Sequence, residues 1–150
     1  MRDVFIAAGL RTPIAHRGGA LAHVLPEELG ARVIRALLRH LGLGGVELSG
    51  VLAGNAVGTG GNLARLMALR AGLPEEVPSC TVDMQCASAA AAVSLAAAKI
   101  ASGQGECFLA GGMESASLQP LRVYDARDPR CTLVPDGVYR TAQFSPGELA

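Results

Sequence analysis

An α/β fold with a mostly parallel sheet is what this 150-residue sequence predicts. Three observations carry that expectation. Apolar runs of strand length alternate with helix-length segments, in the order β-α-β-α-β-α-β. One of the helical segments, residues 86–102, is rich in alanine and apolar on all sides, as a helix buried in a core should be. Glycine or proline punctuates most of the junctions.

Val4 to Leu10, held between Arg2-Asp3 and Arg11-Thr12-Pro13, reads as a buried strand, with Gly18-Gly19 in the loop after it. Pro26-Glu27-Glu28 opens a helix, because proline suits a first turn and acids suit its positive end. Leu29, Val33, Leu37 and Leu41 recur at four-residue steps, and Ile34 and Leu38 widen the stripe. Arg35, Arg39 and His40 crowd the far end, where cations suit the dipole, and Gly42 stops the helix. Gly50 to Val57 reads as a second strand. Asn62 is placed to cap a helix over Leu63 to Ala71, stopped by Gly72-Leu73-Pro74. Pro78 to Met84 is a third strand. The Ala-rich helix follows, ended by Gly103 and Gly105, and Cys107 to Gly111 is a fourth strand. Residues 1–117 therefore form one α/β domain. From 118 to 150 the periodicity dissolves among Pro120, Pro129, Pro135 and Pro146, as at the start of an irregular region.

Composition excludes several functions. Half of the residues are hydrophobic and 17% are charged, which argues against disorder. Thirteen basic residues balance thirteen acidic ones, so no broad field exists for nucleic acid or an anionic membrane. Aromatics make up only 3%, too few for a base-stacking platform. The longest apolar run, Ala87 to Ala101, contains Ser88, Ser94 and Lys99 and falls short of the roughly 20 residues that span a bilayer. The first residues lack the pattern of an export signal. The expectation is a soluble, cytoplasmic protein. Cys80, Cys86, Cys107 and Cys131 form no CxxC pair and have no histidine at zinc-ligand spacing, so free thiols and no metal are expected.

Cys86 is the candidate for chemistry. It lies between the end of a strand, Thr81-Val82-Asp83-Met84, and the start of the apolar helix. A thiol at a helix N-terminus feels the partial positive charge of unsatisfied N–H groups, which favours thiolate below the free pKa of about 8.5. The same groups can hold an oxyanion formed when the thiolate attacks a carbonyl. A buried, inert cysteine is the competing reading. Gly111-Gly112-Met113-Glu114-Ser115 either turns the chain after a strand or lets backbone approach a ligand. Gly58-Thr59-Gly60-Gly61-Asn62-Leu63 partly mimics a dinucleotide fingerprint, but Leu63 occupies the third glycine position and no acid is suitably placed downstream. His40 suits a helix C-terminus, and His16 and His23 lie in a glycine-flanked loop. None of them is near Cys86 in sequence.

These motifs together resemble the N-terminal part of the thiolase family. The resemblance runs collinearly over about residues 3–117. It begins with Asp3-Val4-Phe5-Ile6, Arg11-Thr12-Pro13-Ile14 and Gly18-Gly19, and continues with Pro26-Glu27-Glu28-Leu29-Gly30. Gly54-Asn55-Ala56-Val57, Asn62-Leu63-Ala64-Arg65 and Ala71-Gly72-Leu73-Pro74 extend it. Cys86-Ala87-Ser88-Ala89 falls at the acyl-accepting cysteine, and Ala110-Gly111-Gly112-Met113-Glu114-Ser115 follows.

The resemblance implies a layered thiolase-like fold of which this chain is the N-terminal half. It implies an acyltransferase of acetyl-CoA type that moves an acyl group from acyl-CoA or 3-ketoacyl-CoA through a cysteine thioester, to CoA in cleavage or to an acetyl-CoA carbanion in condensation. Such chemistry belongs to fatty acid and lipid metabolism and needs no cofactor beyond coenzyme A as substrate. Cys86 is then the nucleophile, its N–H is one oxyanion donor, and the strand from Pro78 to Met84 packs at a dimer interface. Two departures stand out. Ala87 and Ala89 replace glycines that usually flank the serine after the nucleophile. The family also continues well beyond this length, and its second half carries the activating histidine, a second catalytic cysteine and much of the CoA surface. Without its base the nucleophile forgoes about 10²–10⁴-fold in rate, so this chain alone is expected to be weak or inactive. A homo-oligomer or a complementing chain is the expected partner. Two alternatives stay open: a truncated, non-catalytic thiolase-like protein acting by association, and a condensing enzyme of ketoacyl-synthase type that uses a carrier protein. The Gly-Gly-Met-Glu-Ser run favours thiolase over the latter.

Overall fold

A computed structural model describes residues 2–44, 47–58, 60–120, 122–123, 125, 127 and 138–139. Helix α1 spans Pro26–Leu41, strand β1 Gly50–Gly54, helix α2 Leu63–Ala71, strand β2 Ser79–Val82, helix α3 Ser88–Ala101 and strand β3 Phe108–Gly112. Two short strands, β4 (Arg122–Val123) and β5 (Val138–Tyr139), pair antiparallel. The rest of the irregular stretch expected over 118–150, Cys131 included, lies mostly outside the described residues.

The local signals act as expected in α1 and α2. Proline opens α1, Glu27 and Glu28 sit in its first turn, Arg39 and His40 in its last, and Gly42 closes it in the left-handed conformation (φ 65°). The Asn62 side chain caps α2 by accepting from the Arg65 amide, and Gly72 (φ 83°) ends it.

The strands β2-β1-β3 form a parallel sheet, with β1 in the centre. A central parallel strand covered on both faces should be buried throughout, and all five residues of β1 are. Successive side chains point to opposite faces. Val51 and Ala53 join Ile34, Leu63, Ala64, Met67 and Ala68 in the core under α1 and α2. Leu52 turns the other way, onto Ala92 and Ala96 of α3, with Val82 and Phe108 beside them.

Glycine lets α3 reach the sheet. A Cβ on Gly54 would lie 2.5 Å from the Ala89 nitrogen and 2.5 Å from the Ser88 carbonyl carbon, both backbone. A Cβ on Gly112 would lie 2.9 Å from that of Ala89. The start of α3 thus rests directly on the carboxyl ends of β1 and β3.

Two expectations need correction. Val4 to Leu10 is not a strand: residues 2–16 have no regular structure, and Phe5 and Ile6 are 83% and 84% exposed. An apolar run becomes a strand only where an edge pairs with it, and this one joins neither edge of the three-stranded sheet. Residues 8–12 instead line, with Leu29, Val33 and Leu37, an open cavity of about 260 Å³. The deepest stripe of α1 is therefore Glu27, Gly30, Ala31 and Ile34, rotated from the leucine line. The Ala-rich helix is buried along one face only, at Ser88, Ala92 and Ala96, while Val93 and Leu95 are exposed. Periodicity finds such a helix but not how many neighbours cover it.

Two measurements test this packing. Gly54→Ala meets fixed backbone and should cost about 1–3 kcal/mol or more. Gly30→Ala meets the buried Met67 side chain, at Sδ and Cγ, and no backbone, and gains helix propensity of about 1 kcal/mol, so it should cost less. Denaturant midpoints of the two variants decide, and equal losses would contradict the close approach at Gly54. In α1, the hydrogen bond from Arg32, with Arg35 adding its charge, holds the Glu28 carboxyl below its ordinary value. Unfolded chains then bind that proton more readily, so this contribution is present above the ordinary glutamate pKa and is lost as pH falls through the lowered one. Stability measured from neutral pH to about pH 3 should fall less steeply for Glu28→Gln than for the unaltered chain.

Candidate active site

The carboxyl ends of parallel strands are where α/β proteins gather functional loops. Here β1 delivers Asn55–Gly58, β2 delivers the turn Asp83–Ala87, and β3 delivers Met113 and Glu114. The three loops line one cavity of about 350 Å³ that includes Cys86, Gln85, Ser88, Ala89, Ala56 and Val57.

Cys86 is exposed in a turn that Ser88 braces. Gln85 has φ 52°, the only positive value outside glycine among the described residues. A side chain in that region costs roughly 1–2 kcal/mol, so neighbours must hold it. The buried Ser88 hydroxyl accepts from the Met84 amide at 2.8 Å and donates to the Gln85 carbonyl at 2.6 Å. The Gln85 amide donates to Asp83 Oδ1 at 3.0 Å. The turn lifts Cys86 to the surface, which removes the buried-cysteine reading. Helix α3 starts at Ser88 with Ala87 as N-cap, so Cys86 sits just outside its first turn.

A polar network ties the other two loops together. Glu114 Oε2 accepts from the amides of Ala56 at 2.8 Å and Val57 at 3.0 Å, and Oε1 from Asn55 Nδ2 at 2.9 Å. The same Asn55 nitrogen donates to the Met113 carbonyl at 2.8 Å, and Asn55 Oδ1 accepts from the Gly58 amide at 3.0 Å. This network ends β1 at Gly54, short of the expected Val57. The Gly111–Ser115 run is thus more than a turn: Gly112 accommodates α3 and Glu114 binds the β1 loop. Sequence reasoning left Glu114 and Ser88 without roles. Their signal lay only in being polar residues two positions after a cysteine or a glycine pair at a strand end.

The glycine run after β1 leads into α2. Gly60 (φ 81°) and Gly61 (φ 72°) turn the chain, and Asn62 is held by Ser79 and Thr81 of β2. Of the two alanines beside Ser88, both exposed, Ala89 places its methyl over Gly112, which has none. None of the three histidines lines the cavity. Cys80, Cys86 and Cys107 are free thiols, as expected. Among the described residues no cluster of His, Cys, Asp or Glu is placed to hold a metal, and no helix is long and apolar enough to cross a membrane.

The chain belongs to the thiolase family: residues 4–139 match the model of the thiolase N-terminal domain. Its relatives bear acyltransferase names. A Bacillus subtilis protein named as an acetyl-CoA C-acetyltransferase, YhfS, is 47% identical over 118 residues, which are 79% of this chain and 32% of that protein. A Staphylococcus aureus protein named as an acetyl-CoA acyltransferase is 40% identical over 129 residues, 85% of this chain and 33% of that one. The crystal structure of the Bacillus anthracis acetyl-CoA acetyltransferase superposes with a TM-score of 0.75 at 35% identity, covering 79% of this chain and 30% of the other. The chain spans about a third of the length of the curated relatives it matches.

Removing the brace should expose its role. Ser88→Ala leaves the half-buried Met84 amide without its partner and removes a donor from the Gln85 carbonyl, and should cost about 0.5–1.5 kcal/mol. Alkylation of Cys86 by iodoacetamide should change in the same variant, while that of Cys80 on β2 stays as it was. An unchanged Cys86 rate would mean that Ser88 does not shape the turn.

Proposed function

We propose that this chain carries the nucleophile of a thiolase-family acyltransferase that acts on acyl-CoA, with Cys86 as the acyl acceptor. The single observation that carries the reading is Cys86 itself, exposed on a braced turn in a cavity at the carboxyl edge of the sheet. The acyltransferase names of the relatives support the substrate class.

In cleavage, the Cys86 thiolate attacks the 3-keto carbon of a 3-ketoacyl-CoA. The bond between carbons 2 and 3 breaks, the acyl group stays on sulfur, and the departing acetyl-CoA carbanion takes up a proton. A CoA thiol then displaces the acyl group and regenerates Cys86. Condensation runs the same bonds in reverse. Both directions need a base to take the thiol proton, and no histidine lies in the cavity lining. Chemistry by this chain alone is therefore slow, by about 10²–10⁴-fold for a missing general base. The exposed apolar residues Phe5, Ile6, Ile14, Val93 and Leu95 favour assembly with a second copy or a complementing chain. Fatty acid metabolism in the cytoplasm is the setting that this reading suggests.

Incubation with acetoacetyl-CoA followed by peptide mass spectrometry tests the assignment. An acetyl thioester should form at Cys86 in preference to the other cysteines and be absent from Cys86→Ser. Even labelling of all thiols would overturn it. Transfer from an acyl carrier protein but not from CoA would favour a ketoacyl-synthase type of enzyme. No thioester from either donor would favour a role by association.

A further inference from the structure

Glu114 stands outside the thioester chemistry, yet it holds one wall of the cavity in which that chemistry is placed. We propose that Glu114 is a positioning residue: its carboxylate, bonded to the Ala56 and Val57 amides and to Asn55, fixes the Asn55–Gly58 wall of the cavity that Cys86 also lines and so sets access to the sulfur. The proposal rests on the reading of Cys86 as nucleophile.

The argument is one of donors and acceptors. The wall is a loop without regular structure, so its amides need partners from elsewhere. The amides of Ala56 and Val57 both donate to Glu114 Oε2. The Asn55 side chain donates to Glu114 Oε1 and to the Met113 carbonyl, and its oxygen accepts from Gly58. Every donor in this set points at an oxygen, and the only side-chain group that offers two acceptors and no donor is an ionised carboxylate. A glutamine at 114 must turn its NH₂ toward either the backbone amides or the Asn55 amide. Flipping Asn55 in response sets its NH₂ against the Gly58 amide and its oxygen against the Met113 carbonyl. No arrangement of an amide at 114 satisfies the set, and aspartate is one methylene short.

The placement of the network matches this role. Asn55, Ala56, Val57, Met113 and Glu114 line the same cavity as Cys86. The network joins the loops that follow the paired ends of β1 and β3, where Gly54 lies beside Gly112. The negative charge is met by three N–H groups, so it is taken up by the wall.

The test separates geometry from charge by measuring how the iodoacetamide rate constant of each cysteine varies with pH. The midpoint of that profile reports the charge around a thiol, and its high-pH plateau reports how freely the thiolate is reached. Glu114→Gln removes the charge and breaks the network. Asn55→Ala removes the bonds to Glu114 Oε1, Met113 and Gly58 while keeping the charge. Glu106→Gln removes a charge on an exposed residue at the opposite end of β3. The proposal expects the Cys86 plateau to rise on the order of threefold or more in the first two variants and to be unchanged in the third. The rates of Cys80 and of half-buried Cys107 should not move. A Cys86 midpoint that shifts at constant plateau would overturn the proposal, as would Cys107 rising in step with Cys86, the mark of general loosening. If Asn55→Ala does not fold, the plateau of Glu114→Gln decides alone. Acetylation of the unaltered chain by acetoacetyl-CoA reports separately on the nucleophile, so the clamp and the assigned chemistry can fail independently.

Discussion

The backbone of helix α3 lies against the backbone of the sheet, and that contact exists only because Gly54 and Gly112 have no side chains. Much of the site follows from it. With the start of α3 seated on β1 and β3, Ser88 is buried and its hydroxyl faces back into the turn. The turn can then hold Gln85 at positive φ, and Cys86 is carried outward instead of into the core. A larger residue at either glycine would lift the helix and withdraw the brace. Alanine suits the rest of the interface for the same reason: Ala92 and Ala96 bring α3 close to Leu52 along its length.

Two kinds of force divide the labour. The scaffold is held by apolar contact, with α1 and α2 closing over one face of the sheet and α3 over the other. The loops at its carboxyl edge bury little apolar surface and are held by side chains bonded to backbone, from Ser88, Asn55, Glu114, Asn62 and Thr81. Among the described residues no buried side-chain nitrogen or oxygen lacks a partner. Each such bond contributes only about 0.5–1.5 kcal/mol, but leaving one unmade in a buried place costs more. A loop held this way has one well-defined position, which is what a reacting group requires.

Local chemistry was legible where it acts over a few residues. The proline, acids and bases of α1, the Asn62 cap and the closing glycines Gly42 and Gly72 are all short-range devices, and each is found in place. Cys86 was legible as a candidate because a thiol between strand and helix is unusual in type and position. Glu114 was not, because its partners lie in a loop more than fifty residues away, and Ser88 was not, because its bonds to Met84 and Gln85 exist only in the turn's folded shape. The misread run at Val4–Leu10 has the same origin. Its composition suits a strand, but a strand is made by the neighbour that pairs with it, and the described sheet provides none.

By itself the sequence determined the alternation of helix and parallel strand from α1 to β3, the caps that bound α1 and α2, and the cysteine on which function is argued. These depend on residue type and spacing, which are present in the chain before it folds. Only the tertiary structure decided that β1 is central, that α3 is covered on one face, and that loops more than fifty residues apart meet around Cys86. Those outcomes depend on which surfaces approach closely enough to exclude one another's side chains and exchange hydrogen bonds. No local pattern encodes that distance.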